Sequence, residues 1–410
     1  MPYARSQRIS QMKGNIMKKL LEDNYSANPA FNFDGDHWVI NQELVDEFEK
    51  AYGNPREKIG KNQAIVILDN LSRIFAELET QTKNSYEKEF IQELKNESIK
   101  FLLEEFNFRF KLLPRERHFD DFRLEELNKF NRFFSFISPE TLKLIQRVMV
   151  PEIDNFRENA RNNKLKRSDL SSNTGKIVDE INRIVNKEFE RQGIFELVSE
   201  HIGIKYKTVG VSLELSSEGS TWWKNNQFPG DSPKTMYAHL DESIYAPKAI
   251  VYLSDVTEHN GPTSGYIGTY EKFENTRVQD LLGRVIGNVG NNENSALKDY
   301  YKKQYHQSFA SENFRKHFMM LPPQLRFNSH LGWDVIPNSE LETRIAETEE
   351  VMLGPAGKFV VFDGSKLLHR GGLIEQGERI VLQVVISPKA NLWNRGIKKI
   401  QKIVKGRNDA

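Results

Sequence analysis

The amino-acid sequence predicts an α+β protein with a mainly helical first half and a second half built from short strands. Apolar residues recur every three or four positions between about 40 and 200, which is the spacing of one helix face. Beyond about 205 the chain changes to short β-branched runs separated by Gly, Pro, Asn and Asp. That texture is typical of a sandwich or jelly roll rather than of alternating strand and helix units.

The helical prediction covers 1–204. One helix face is marked by four apolar residues: Leu68, Leu71, Phe75 and Leu78. Residues 87–108 are rich in straight-chain helix formers. A further helix is predicted at 138–149, where Ser138 can cap the N-terminus and a proline takes the first helical position.

The strand-rich domain is predicted at 205–390. Five segments in it have strand character: 207–217, 235–243, 248–256, 358–364 and 379–387. They are interrupted by an insert at 271–349, in which a helix is predicted at 294–309, and an insert of this length is often a lid or binding element. A basic tail, 391–410, either docks as a terminal helix with a solvated basic face or binds an anionic partner.

Composition limits the classes of function. The 58 Lys and Arg residues nearly balance the 57 Asp and Glu residues, so no overall field favours nucleic acid. The absence of cysteine excludes disulfides and thiolate metal sites and leaves His, Asp and Glu as metal ligands. No apolar run approaches the roughly 20 residues of a membrane span, and no secretory signal is present. We therefore expect a cytoplasmic protein.

The strongest chemical pattern joins two segments of the second half. If 235–243 is a strand, Tyr237, His239 and Asp241 share one face because side chains alternate. His369 follows an apolar strand after a short turn, and Arg379 opens another strand ten residues later. Two histidines and one carboxylate form the facial triad of non-heme Fe(II) oxygenases, and an arginine nearby can bind a carboxylate through two parallel hydrogen bonds.

This array resembles the Fe(II)/2-oxoglutarate-dependent oxygenases. The segments AIVYLSDVTEHNGPTSG (249–265) and GKFVVFDGSKLLHRGG (357–372) look most like their phytanoyl-CoA dioxygenase branch. The resemblance spans roughly 205–390. It implies a double-stranded β-helix, which is a cupin-like jelly roll, as the core.

The resemblance also implies roles for single residues. His239, Asp241 and His369 would bind Fe(II) and form the catalytic centre, and Arg379 would bind the distal carboxylate of the co-substrate 2-oxoglutarate. With O2, the implied reaction hydroxylates a C–H bond of a substrate and releases succinate and CO2. Desaturation or ring formation is also open. Since Asp241 is present, halogenation, which needs a small residue there, is disfavoured.

Two further residues are candidates for the co-substrate site. Tyr237 shares the predicted face of the iron ligands. Gln383 lies four residues beyond Arg379 and so points the same way. Gln383 could alternatively be a strand-end glutamine that reaches solvent.

The loop 220–234 precedes the predicted metal strand. Its candidate substrate residues are Trp222, Trp223, Lys224 and Lys234. The loop either forms a wall for substrate and co-substrate or closes the mouth of the barrel as an aromatic plug. Another pair of possible ligands, His330 and Asp334, has helical spacing in a context of Gly and Pro that disfavours a helix.

The predicted substrate is a small-molecule metabolite, without nucleic acid or membrane partners. The same chemistry on a protein or other macromolecule is an alternative, because the helical region could recognise a partner. A non-catalytic binding protein on the same fold is a third hypothesis. The sequence does not indicate an oligomeric state.

Overall fold

The computed structural model describes residues 16–32, 35–113, 120–161, 171–218, 233–288, 318–372 and 374–388. The helices are α1 (16–27), α2 (Gln42–Tyr52), α3 (Lys61–Glu79), α4 (Ser85–Arg109), α5 (Phe122–Phe130), α6 (Pro139–Arg161), α7 (Lys176–Arg191), α8 (Ile194–Ile202), α9 (Arg277–Asn288) and α10 (Glu340–Ala346). The strands are β1 (Arg132–Phe136), β2 (Ser171–Ser172), β3 (Tyr206–Ser217), β4 (Lys248–Tyr252), β5 (Thr263–Tyr266), β6 (Glu349–Met352), β7 (Lys358–Phe362), β8 (Leu368–Arg370) and β9 (Glu378–Pro388). Within those ranges no helix combines the length and apolar character that a bilayer crossing needs.

The strands form two antiparallel sheets. The larger sheet has the order β1-β7-β4-β9-β3-β2, and the smaller has the order β6-β5-β8. A small apolar cluster joins them, in which Met352 of β6 lies with Val360 and Phe362 of β7. The mixture of helices with antiparallel sheets agrees with the predicted α+β class.

The other face of the larger sheet is covered by helices. Fully buried side chains of one cluster include Ile145 of α6, Ile181 of α7, Leu213 of β3, Val361 of β7 and Leu382 of β9. Alternation along β9 therefore directs its even-numbered residues into this core and its odd-numbered residues, among them the predicted co-substrate residues, to the opposite face.

A second core unites the N-terminal helices with the insert. Leu71 of α3 and Leu102 of α4 are buried in the same cluster as Leu282 of α9 and Ile345 of α10. Truncating a buried leucine of this kind to alanine costs about 2–5 kcal/mol. The described part of the insert is thus packed structure, attached to the helices rather than standing alone. The predicted insert helix 294–309 and the tail 391–410 lie outside the described residues.

Most of the predicted elements are confirmed. The apolar face Leu68 to Leu78 is buried on α3, the segment 87–108 lies within α4, and the Ser138 hydroxyl accepts a hydrogen bond from the Thr141 amide at the start of α6. Four of the five predicted strands are present as β3, β4, β7 and β9.

The predicted strand 235–243 is wrong. The Ala238 amide bonds the Thr235 carbonyl in a turn, Tyr237 has a φ of 67°, and only an isolated bridge at His239 follows. The reason is that the neighbouring amide of Leu240 bonds the carbonyl of Ser329 in the insert instead of a strand. Local alternation could not reveal that competing partner.

Candidate metal centre

Two side chains from the segment before β4 and one from strand β8 meet at one point. His239, Asp241 and His369 each offer one ligand atom, and these atoms lie within 4.8 Å of one another. Nε2 of His369 is 3.8 Å from Oδ1 of Asp241, and the two imidazole centroids are 4.4 Å apart. No other group of three possible ligands occurs in the part of the chain that the structure describes.

The main chain ties the two histidines together. Each amide of His239 and His369 donates to the carbonyl of the other at 3.0 Å. This bridge brings His239 beside His369 of β8. Asp241 is fixed in the same way, because its amide donates to the carbonyl of Gly364 at 2.8 Å.

Each imidazole is oriented by a carbonyl two residues earlier. Nδ1 of His239 lies 2.9 Å from the Tyr237 carbonyl, and Nδ1 of His369 lies 2.9 Å from the Leu367 carbonyl. A carbonyl can only accept, so each Nδ1 carries the proton and each Nε2 has its lone pair available for a metal. This is the arrangement that metal-binding histidines usually have.

Charge at the centre favours a cation. Burial alone would raise the pKa of Asp241, but the charge of Lys248 and the imidazoles of His369 and His239 lower it to about 2. Burial lowers the pKa of His369 to about 3. The carboxylate is therefore ionised and His369 neutral at pH 7, as metal coordination requires.

One oxygen of the carboxylate is left without a partner. Lys248 Nζ lies 2.5 Å from Oδ1 of Asp241, whereas Oδ2 is buried and lacks a hydrogen-bond partner among the described residues. An unpaired buried carboxylate oxygen is costly. Together with two Nε2 atoms, it is the donor set that fits Fe(II).

Gly364 makes room for this carboxylate. A Cβ atom added at that position would lie 1.9 Å from Oδ2 and 2.6 Å from Cγ of Asp241. No side chain fits there without moving the carboxylate. The glycine of the DGS segment is therefore part of the site.

Arg379 is buried at the end of β9. Its side chain donates to the carbonyl of Gly261, while Nε is buried without a partner among the described residues. Burial lowers its pKa, and Glu214 and Tyr252 oppose that shift. An unpaired, buried guanidinium nitrogen suits a carboxylate ligand.

The sheet connects Arg379 to the metal ligands. Gly261 leads into β5, in which Gly265 pairs with His369 of β8. The two glycines are four residue steps apart, which is at most about 13 Å of extended chain. The arginine and the three possible ligands therefore belong to one region.

The other predicted residues have different positions. Tyr237 is buried, and its carbonyl orients His239. Gln383 is half-buried on the same face of β9 as Arg379. The Lys234 side chain is exposed, and its main chain bonds Glu342 and Arg370. The remaining loop candidates, Trp222, Trp223 and Lys224, lie outside the described residues.

The pair His330 and Asp334 does not form a second metal site. Asp334 accepts a hydrogen bond from Asn328 at 2.7 Å. The His330 ring instead stacks on His239, with centroids 5.3 Å apart and planes 9° from parallel. This stacking holds the ring of His239, one of the candidate ligands, in place.

Sequence reasoning missed two supporting basic residues. Lys248 opens an apolar strand and so resembled a solvent-facing end residue. Arg284 on α9 donates to the carbonyls of Asp241 and Ser365, and thus links the segment of Asp241 to the turn that precedes β8. Its only signal in the sequence was an arginine among the apolar residues of an amphipathic helix.

Comparison with known proteins adds similarity at the level of shape. No protein-family model matches the chain, and no curated protein does either. Among solved structures, it is similar to the epimerase SnoN in complex with Fe3+, alpha ketoglutarate and nogalamycin RO (11% identity, 65% of this chain and 82% of that one, TM-score 0.33). It is also similar to EctD from S. alaskensis with 2-oxoglutarate and 5-hydroxyectoine (12% identity, 68% of this chain and 84% of that one, TM-score 0.37). A Pseudomonas putida prolyl-4-hydroxylase is similar as well (10% identity, 65% of this chain and 98% of that one, TM-score 0.32). Scores and identities this low carry no argument for function, which has to rest on the side chains described above.

Proposed function

We propose that the protein is an Fe(II)- and 2-oxoglutarate-dependent dioxygenase that hydroxylates a small-molecule metabolite. The observation that carries the proposal is the convergence of His239, Asp241 and His369 with the donor atoms in the right state: two oriented Nε2 atoms and the buried Oδ2 that lacks a partner. The proposal includes the phytanoyl-CoA dioxygenase branch, which the segments 249–265 and 357–372 resemble.

His239, Asp241 and His369 would hold the iron, and the surrounding residues would position the co-substrate. Iron bound there would supply the chemistry by which O2 oxidatively decarboxylates 2-oxoglutarate to succinate and CO2 and one oxygen atom is inserted into a substrate C–H bond. Lys248 holds Oδ1 of Asp241 in place, which leaves Oδ2 for the metal. The unpaired Nε of Arg379 would receive the distal carboxylate of 2-oxoglutarate. Gln383, on the same face of β9, would line the same space.

The test needs no knowledge of the substrate. Under anaerobic conditions, purified protein receives Fe(II) and then 2-oxoglutarate, and the visible charge-transfer band of the chelate is recorded. We expect the band in the wild type and its loss in Asp241→Ala. Arg379→Ala should need roughly ten- to a hundredfold more 2-oxoglutarate, since a hydrogen bond between charged groups is lost.

The matched control is Arg344→Ala, which removes an exposed arginine on α10 and should leave the titration unchanged. Iron binding without any band in the wild type would contradict the oxygenase proposal. An unchanged titration in Arg379→Ala would contradict the role of that arginine alone.

A further inference from the structure

A cavity lies beside the segments that carry the candidate metal ligands. It has a volume of about 30 Å³ and is lined by residues of α2, α4 and α9 and by Ser365 and Lys366. Its described lining does not include His239, Asp241 or His369. We call it the basic cavity, since its charged lining residues are Arg56, Arg277, Arg284, Lys366, Glu105 and Asp280.

The two acids of the basic cavity are already engaged. The Tyr52 hydroxyl donates to Glu105 at 2.6 Å, and the Tyr270 hydroxyl donates to Asp280. Burial raises the pKa of Glu105 to about 6 and also raises that of Asp280. With four basic groups against two acids, the lining has a formal charge of +2.

Two of the cations lack carboxylate partners. Lys366 Nζ has no hydrogen bond or ion pair with any described residue, although the side chain is largely buried. Arg284 is only 4% exposed, and the hydrogen bonds it donates within the described chain go to carbonyl oxygens. Arg56 and Arg277 differ, because they are paired with Asp363 and Asp280. Carboxylates lie in the neighbourhood of Lys366 and Arg284 but do not bond them directly. A buried cation without a directly bonded anion is costly, so an anion in the cavity would stabilise both.

We propose that the basic cavity binds a small anionic group, a carboxylate or a phosphate, through Lys366, Arg277 and Arg284. None of the three candidate iron ligands lines this cavity, although Arg284 also donates to the carbonyl of Asp241. Its volume exceeds the roughly 10–15 Å³ that one water needs but admits only a compact group. The Arg277 side chain is 37% exposed, so the remainder of a larger ligand would extend to solvent on that side.

The test is a calorimetric titration of the full-length protein with inorganic phosphate and, separately, with acetate. We expect saturable binding of at least one of them, and the tighter one identifies the group that the site prefers. Lys366→Gln should weaken it about tenfold or more, because one charge-assisted hydrogen bond is lost. Arg277→Gln, at the more exposed edge, should weaken it in the same direction and provides a variant with little risk to folding.

Two controls separate the basic cavity from other sites. Lys88→Gln removes an exposed lysine of α4 that lies ~20 Å along the helix, at about 1.5 Å per residue, from Phe101 in the lining of the basic cavity. This change should leave anion binding unaltered. Arg379→Gln should also leave the binding intact. Loss of binding in Arg379→Gln would place the anion at the co-substrate site and overturn the proposal. Unchanged binding in Lys366→Gln, or no saturable binding of either anion, would overturn it as well.

Discussion

Gly364→Ala is expected to abolish tight metal binding without touching a ligand. The added Cβ would lie 1.9 Å from Oδ2 of Asp241, while real Cβ contacts stay beyond 3.0 Å, so the oxygen must retreat by at least about 1.1 Å. Metal–ligand distances tolerate only about 0.2 Å. Asp241 can then no longer share a metal with the two histidines, and we expect the Fe(II) affinity to fall by at least the roughly ten- to a hundredfold seen when a supporting group is lost.

The assay is anaerobic calorimetry with Fe(II), accompanied by thermal melting followed by circular dichroism. Gly210→Ala is the matched control, because an added Cβ in the middle of β3 meets nothing within 4 Å. The reasoning would be refuted if Gly364→Ala bound Fe(II) like the wild type while melting at the same temperature. A large drop in the melting temperature would instead show that the loop cannot accept the methyl group at all, and Asp241→Asn then tests the ligand without a steric change.

Three other outcomes are expected. Gly261 has a φ of 79°, and a Cβ added there would lie 2.2 Å from a neighbouring side chain. Gly261→Ala should therefore displace the carbonyl to which Arg379 donates and raise the concentration of 2-oxoglutarate that is needed, while the Fe(II) affinity stays constant. A simultaneous loss of Fe(II) affinity would contradict the assignment of Gly261 to the co-substrate site alone. Lys248→Met should destabilise the metal-free protein at pH 7 by on the order of 1–2 kcal/mol, because it removes the largest of the charges that together hold the pKa of Asp241 near 2 instead of 3.8. Urea titrations should show the deficit shrinking as the pH falls from 4 towards 2, where Asp241 of the wild type takes up its proton. Since burial lowers the pKa of His201 from 6.5 to about 4, only the unfolded chain takes up that proton between these values, so stability should decrease as the pH falls through this window, and less steeply in His201→Gln. Equal slopes in the two proteins would disprove the His201 assignment.

The residue types of the centre could be predicted from the sequence, but the way they meet could not. His239 and Asp241 were expected to share a strand face. Instead, a turn and a two-residue bridge to His369 bring them together. Spacing and neighbouring apolar strands identify which residues converge, whereas the path of the main chain depends on Ser329 in the insert, far away in the sequence.

Supporting residues were harder to predict, because their roles exist only in the folded sheet. Lys248 is a plausible solvent-facing start of β4 until the sheet shows that it shares a face with Ile250 and Tyr252. Strand β1 could not be predicted from the local sequence either. Its five residues lie among helices in the sequence, and only the distant partner β7 makes them a strand.

The pairing of β1 with β7 also means that β1 cannot pair until a much later part of the chain has been synthesised. Arg132 pairs with Phe362, so 230 residues separate the two partners, and at about 5–20 residues per second the ribosome needs roughly 12–46 s to deliver the second one. During that interval Phe133, which is fully buried in the finished protein, has no sheet to enter. The nascent chain therefore passes through a long stage with an unpaired strand edge, and its yield in the cell should depend on holding chaperones more than its final stability would suggest.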